Sequence, residues 1–144
     1  MTSRRSTWVE NLATLMRAQG KYEEGKSLYE QAIARTEKTL GGEHPHLAAP
    51  LSNLARLLTL QGKYDEAKPL CERAIAITEK TLGREHPDLA KWIKGFADVL
   101  REQGKYDEAK ALYERAMALI EKTLGAEHPE LATSLSNLAG LLED

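Results

Sequence analysis

Apolar residues recur along the chain at helical spacing, in stripes broken by glycine. Leu51, Leu54, Ala55 and Leu58 fall at i, i+3, i+4 and i+7, one face of an α-helix. After Gln61-Gly62 a second stripe follows: Ala67, Leu70, Cys71, Ala74 and Ile77. Gly62 separates the two because glycine tolerates the left-handed conformation that ends a helix. The second helix is predicted to stop before Gly83, with Lys80 in its last turn complementing the helix dipole. His86-Pro87 opens the next one. Proline suits a first helical position, where its N–H would be unpaired, and holds the residue before it in the extended geometry of an N-cap. No segment carries strand signals. The pattern predicts helices over 6–19, 22–40, 46–61, 64–82, 88–103, 106–124 and 130–143, pairing as a shorter helix A and a longer helix B.

The hairpins are copies of one another. Gln19–Tyr22, Gln61–Tyr64 and Gln103–Tyr106 all read QGKY, each 42 residues after the last. Glu37–Pro45, Glu79–Pro87 and Glu121–Pro129 share a second string, EKTLG-x-EHP, at the same offset. A period of this length marks a stacked array. Three and a half units are expected, about 5–46, 47–88, 89–130 and 131–144, within one domain. The balance of 42% hydrophobic and 29% charged residues suits a folded chain, and with 6% aromatics the core must be built mainly from Leu, Ala and Ile. A net charge of −2, from 20 basic and 22 acidic residues, argues against nucleic acid as the partner. The single cysteine excludes an internal disulfide. No apolar run reaches the roughly 18 residues of a membrane span, and no apolar stretch follows Met1–Arg5 as a secretory signal would require. A cytoplasmic setting is expected.

These residues resemble the tetratricopeptide repeat, in the 42-residue form of kinesin light chains. The helix A pattern of apolar, Leu, small and large apolar residues matches Val9/Leu12/Ala13/Met16, Leu51/Leu54/Ala55/Leu58, Ile93/Phe96/Ala97/Leu100 and Leu135/Leu138/Ala139/Leu142. Gly104, Tyr106, Ala109, Tyr113 and Ala116 match the turn and helix B. Cys71 replaces the helix B Tyr in the second unit, and Gly25 replaces Ala in the first. The resemblance implies an all-α fold, a right-handed α-solenoid of seven helices, and a protein-binding role.

Side chains with catalytic potential have simpler structural roles. His44, His86 and His128 recur at one repeat position, where each is expected to cap a helix before Pro. Successive repeats lie roughly 10 Å apart, judged from helix packing distances, too far for one metal ion with bonds near 2 Å. Cys71 lies on an apolar stripe and reads as a small buried hydrophobe. The Glu- and Lys-rich helix B surfaces, such as Glu23, Glu24, Lys26 and Glu30, read as a solvated face. Neither an active site nor a cofactor is expected. Pro69 falls near enough to a helix start to be tolerated, whereas Pro50 should make its helix start late or bend.

Function is therefore expected on a surface. The resemblance places helix A on a concave groove, with Glu10, Asn11, Thr14 and Arg17 from the first unit and Ser52, Asn53 and Arg56 from the second. Lys91, Lys94, Asp98 and Arg101 come from the third unit, and Ser136 and Asn137 from the fourth. It implies that Asn11, Asn53 and Asn137 hydrogen-bond a peptide backbone, for which an amide offers both donors and an acceptor. Gly95 stands where the third unit should carry this Asn. Lys91, Lys94, Arg56 and Arg101 make the groove centre basic, diluted by Asp98 and Glu102, so the expected partner is a protein or peptide segment of acidic character. The alternative is a structural spacer or self-assembly module with an empty groove. In the last helix, Leu135, Ala139 and Leu142 are expected to pack on the preceding hairpin. Leu138 and Leu141 would then be left to drive self-association, since each leucine buried contributes about 1.5–3 kcal/mol.

Overall fold

The computed structural model describes residues 11–12, 20–125 and 129–143. The helix expected over 6–19 lies outside the described residues except for Asn11 and Leu12, which are helical. Six helices follow: α1 (Tyr22–Leu40), α2 (Ala48–Leu60), α3 (Tyr64–Leu82), α4 (Pro87–Glu102), α5 (Tyr106–Leu124) and α6 (Pro129–Glu143). The helix B spans α1, α3 and α5 coincide with those read from the periodicity. Helices α2 and α3 form one hairpin and α4 and α5 the next, and α3 and α4 pack between hairpins. The described residues are all helix and loop, the stacked all-α architecture expected.

Local chemistry fixes the turns. Lys63 donates its backbone N–H to the Leu58 carbonyl at 2.8 Å, and Gly62 donates to Thr59 at 3.0 Å. This pair of bonds satisfies two terminal carbonyls of α2 and requires a left-handed residue, supplied by Gly62 at φ 76°. Lys105 and Gly104 repeat it at the end of α4, bonding Leu100 and Arg101. At the helix starts, His44 Nδ1 accepts the His46 N–H and His86 Nδ1 accepts the Asp88 N–H, both at 3.1 Å. These are the caps the His-Pro motif predicts; His128 lies outside the described residues.

The two prolines behave differently. Equivalent positions open α4 as an α-helix at Pro87, but in the second unit Pro45–Leu47 form a 3₁₀ turn and α2 starts at Ala48. A continuous α-helix from Pro45 would need an N–H at residue 50 to bond the His46 carbonyl. Pro50 has none, so the first turn tightens and Pro50 becomes the third residue of α2, where no intrahelical donor is needed. Pro69 lies inside α3, on its exposed side, without ending the helix.

The core runs between the helices as a continuous seam. Leu51, Leu54, Leu57 and Leu58 of α2 pack with Ala67, Cys71, Ala74 and Ile77 of α3, and Val99 of α4 joins them from the next unit. Ile93 of α4 meets Ala116, Leu119 and Ile120 of α5, and farther along Ala97 and Leu100 meet Ala109 and Tyr113. Buried alanines on facing helices keep the axes close. Ion pairs link successive units on the helix B side: Arg73–Glu37 at 3.0 Å, Lys80–Glu43 at 2.6 Å, Arg115–Glu79 at 3.8 Å, and Lys122–Glu85.

The last helix reverses the expected facing. Leu141 is buried (5% exposed) and, with Leu138, packs against Ala97, Leu100, Ala109 and Tyr113 of the preceding hairpin. Leu135 is 51% exposed and Ala139 is also exposed. The repeat register supplies the reason. Leu135 occupies the place of Ile93, whose neighbours are the helix B side chains of its own unit, whereas Leu141 occupies the place of Val99, which packs on the unit before. Leu141 is thus covered within the chain and Leu138 partly so, where both were expected to stand open for self-association.

Candidate functional site

Helices α2 and α4 run side by side and leave two adjoining cavities between them. The first, about 340 Å³, is lined by Ser52, Asn53 and Arg56 of α2 and by Ala90, Lys91, Trp92 and Lys94 of α4. Ile120 of α5 and Thr133 of α6 complete it. The second, about 250 Å³, continues along the same helices between Thr59 and Leu60 on one side and Gly95, Asp98, Val99, Arg101 and Glu102 on the other. Ser52 and Arg56 belong to both, so the cavities form one trough with a shared waist. Gly95 forms part of that waist. A Cβ at Gly95 would stand 3.1 Å from Ser52 Oγ, closer than ordinary contact, so the missing Asn side chain lets α4 lie against the buried Ser52.

The trough is chemically divided. The first cavity holds three cations and no carboxylate among its described lining residues. Lys91 Nζ is 3.6 Å from Asp88 Oδ1, but Arg56 and Lys94 have no ion-pair partner among the described residues. The second cavity mixes charges: Arg101 pairs with Glu102 at 3.5 Å, and Asp98 Oδ1 accepts the hydroxyl of the fully buried Tyr113. Burial first, then the Asp98 hydrogen bond and charge, push the Tyr113 phenol above its ordinary range. Cys71, also buried, has its thiol pushed up to about 12, by burial first and then by the charges of Glu72 and Asp98. A thiol held neutral in this way is a packing group and a poor nucleophile. Among the described residues, no His, Cys, Asp and Glu cluster has the makings of a metal site.

Of the residues named from the sequence, Ser52, Asn53, Arg56, Lys91 and Lys94 meet in the first cavity, and Asp98 and Arg101 join Arg56 in the second. Ser136 and Asn137 lie on α6 and line neither. Asn11 is exposed, and Glu10, Thr14 and Arg17 lie outside the described residues. Sequence reasoning missed Trp92, Ile120, Leu60 and Val99 as lining residues. Ile120 was detectable, because the equivalent position holds Thr36 and Thr78 in the earlier units and the third unit alone makes it apolar.

A hairpin array with helix A side chains along a trough defines the class of helical repeat proteins that present a groove. The tetratricopeptide repeat family model matches residues 3–80, 46–119 and 91–144, and the chain belongs to that family. A solved structure of a putative kinesin light chain from Podosopora anserina, with nearly identical TPR-like repeats, is 35% identical over 95% of this chain, with a TM-score of 0.83. This chain spans 65% of that protein's length. The fold is also shared with BtubC (BKLC) from P. vanneervenii, at 18% identity over 96% of this chain and 55% of that one, TM-score 0.83. The Sgt2 TPR domain from Aspergillus fumigatus shares it at 19% identity, over 98% of this chain and 81% of that one, TM-score 0.66. No curated protein matches the sequence. Tetratricopeptide repeats are in general protein-interaction modules, and no helix among the described residues is long and apolar enough to cross a membrane.

Proposed function

We propose that this protein is a non-enzymatic, cytoplasmic interaction scaffold that holds a segment of another protein in the trough between α2 and α4. The observation that carries this reading is the pair of adjoining cavities along α2 and α4, which share Ser52 and Arg56. Their walls come from consecutive helix A elements, and the first cavity offers Arg56 and Lys94, which have no ion-pair partner among the described residues, beside the Asn53 amide. An extended segment lying along α2 and α4 places its backbone against Asn53 and an acidic side chain over Arg56, Lys91 and Lys94. Charge complementarity of this kind sets specificity and association rate.

The test is titration with labelled acidic and basic peptide pools at two salt concentrations. Acidic pools should bind at least tenfold tighter at low salt, and the preference should shrink as added salt screens it. Asn53→Ala and Arg56→Glu should each weaken acidic binding. Equal binding of acidic and basic pools would overturn the charge argument. Binding that survives both substitutions would move the ligand elsewhere.

A further inference from the structure

We infer that the first cavity is a site for one concentrated dianion, the phosphate of a phosphorylated side chain, within the segment that the trough holds. The inference rests on the groove reading above and adds the chemistry of its anchor. Donor-bearing residues line the cavity from two helices, Ser52, Asn53 and Arg56 from α2 and Lys91 and Lys94 from α4, while Thr133 of α6 completes the wall with its hydroxyl donated to the Pro129 carbonyl at 3.3 Å. Asp88 is the one carboxylate paired with any of these cations among the described residues. Three cations against one carboxylate leave about two positive charges. A phosphomonoester carries about −1.5 to −2 at pH 7 and offers three strong acceptor oxygens. Arg56 can bind two of those oxygens through its planar fork, with the lysines acting as point charges. A single carboxylate would leave one positive charge unmatched and several donors idle.

The second cavity sharpens the choice. A ligand with acidic residues spread along its length would bring further carboxylates over Asp98 and Glu102. Repulsion there disfavours an acidic run, while Leu60 and Val99 offer an apolar seat. Charge gathered at one position and an apolar residue beyond it match both cavities together. The net charge of −2 opposes a nucleic-acid polyanion.

The experiment measures fluorescence anisotropy with degenerate ten-residue peptide pools that differ only at a fixed central residue: Ser, Glu, phosphoserine or phosphotyrosine. A single-stranded RNA of mixed sequence is tested in the same buffer. At least one phosphorylated pool should bind tenfold or more tighter than the Glu pool. Lys94→Gln and Arg56→Gln, both surface changes whose folding is checked by circular dichroism, should each remove most of that preference. Inorganic phosphate should compete better than chloride at equal ionic strength. If the phosphorylated pools bind within threefold of the Glu pool, the phosphate assignment fails while the groove reading stands. If no pool binds, both fall. RNA binding as tight as the phosphorylated pools would also overturn it.

Discussion

Helices α2 and α4 hold the same place in successive units, yet they are alike on one side and different on the other. Toward their own helix B they carry Leu51 and Ile93, Ala55 and Ala97, and Leu58 and Leu100, all buried. Toward the trough they diverge, with Asn53 against Gly95 and Arg56 against Asp98. The framework is interchangeable because each unit must solve the same packing problem, whereas the groove positions answer to no such constraint. One difference joins the two sides. In the third unit Asp98 accepts the hydroxyl of Tyr113, while in the second the equivalent pair is Arg56 and Cys71, which makes no such bond and leaves the guanidinium to the trough.

The largest effect should come from the framework. Ile93→Ala empties a fully buried position and should cost about 2–5 kcal/mol in urea unfolding. Leu135→Ala removes the same repeat position where it is half exposed, and should cost under about 0.5 kcal/mol. Leu141→Ala should resemble Ile93→Ala, because Leu141 packs on the preceding hairpin. A Leu135 cost equal to that of Ile93 would contradict this facing of the last helix.

Next comes alkaline pH. Cys71 stays protonated in the folded state up to about 12, while the unfolded chain loses that proton near the ordinary thiol value of 9.0. Between those limits the folded state binds more protons, so stability falls as pH rises. The slope is at most about 1.4 kcal/mol per pH unit for the group. Tyr113 adds to the loss at higher pH, since its phenol is raised too. Urea unfolding at pH 8 and pH 10.5 should show the drop, and Cys71→Ala should reduce it.

Smaller still is the cost of uncoupling the third unit. Tyr113→Phe removes the hydroxyl that bonds Asp98 and should cost about 1 kcal/mol. The smallest effect is at the waist. Gly95→Ala should gain up to about 1 kcal/mol in helix propensity, offset by contact with Ser52 Oγ. In a Ser52→Ala background the gain should be larger, and a double-mutant cycle would read the difference. Identical gains in both backgrounds would remove Ser52 from the account.

Much of this was legible in the sequence, for stated reasons. The 42-residue offset and the glycine turns fix where α1, α3 and α5 begin and end, because helix termini are set by local chemistry. The delayed start of α2 followed from the missing N–H of Pro50. The facing of α6 was not legible, since an apolar stripe says which side chains share a face but not which neighbour that face meets. Leu135 and Leu138 are both apolar, and only the stacking distinguishes them. The trough was half legible. Its charged and amide residues stand out from the repeat comparison, but Leu60 and Val99 become lining residues only through the spacing of α2 and α4.

The central claim, that the trough between α2 and α4 is the ligand surface, is tested most directly by residue-resolved amide NMR during titration with an acidic peptide pool. The account predicts that the largest shifts fall on Ser52, Asn53, Arg56, Lys91, Lys94 and Gly95, with little change along the exposed faces of α1, α3 and α5. Shifts concentrated on those helix B faces, with the trough residues unmoved, would contradict it.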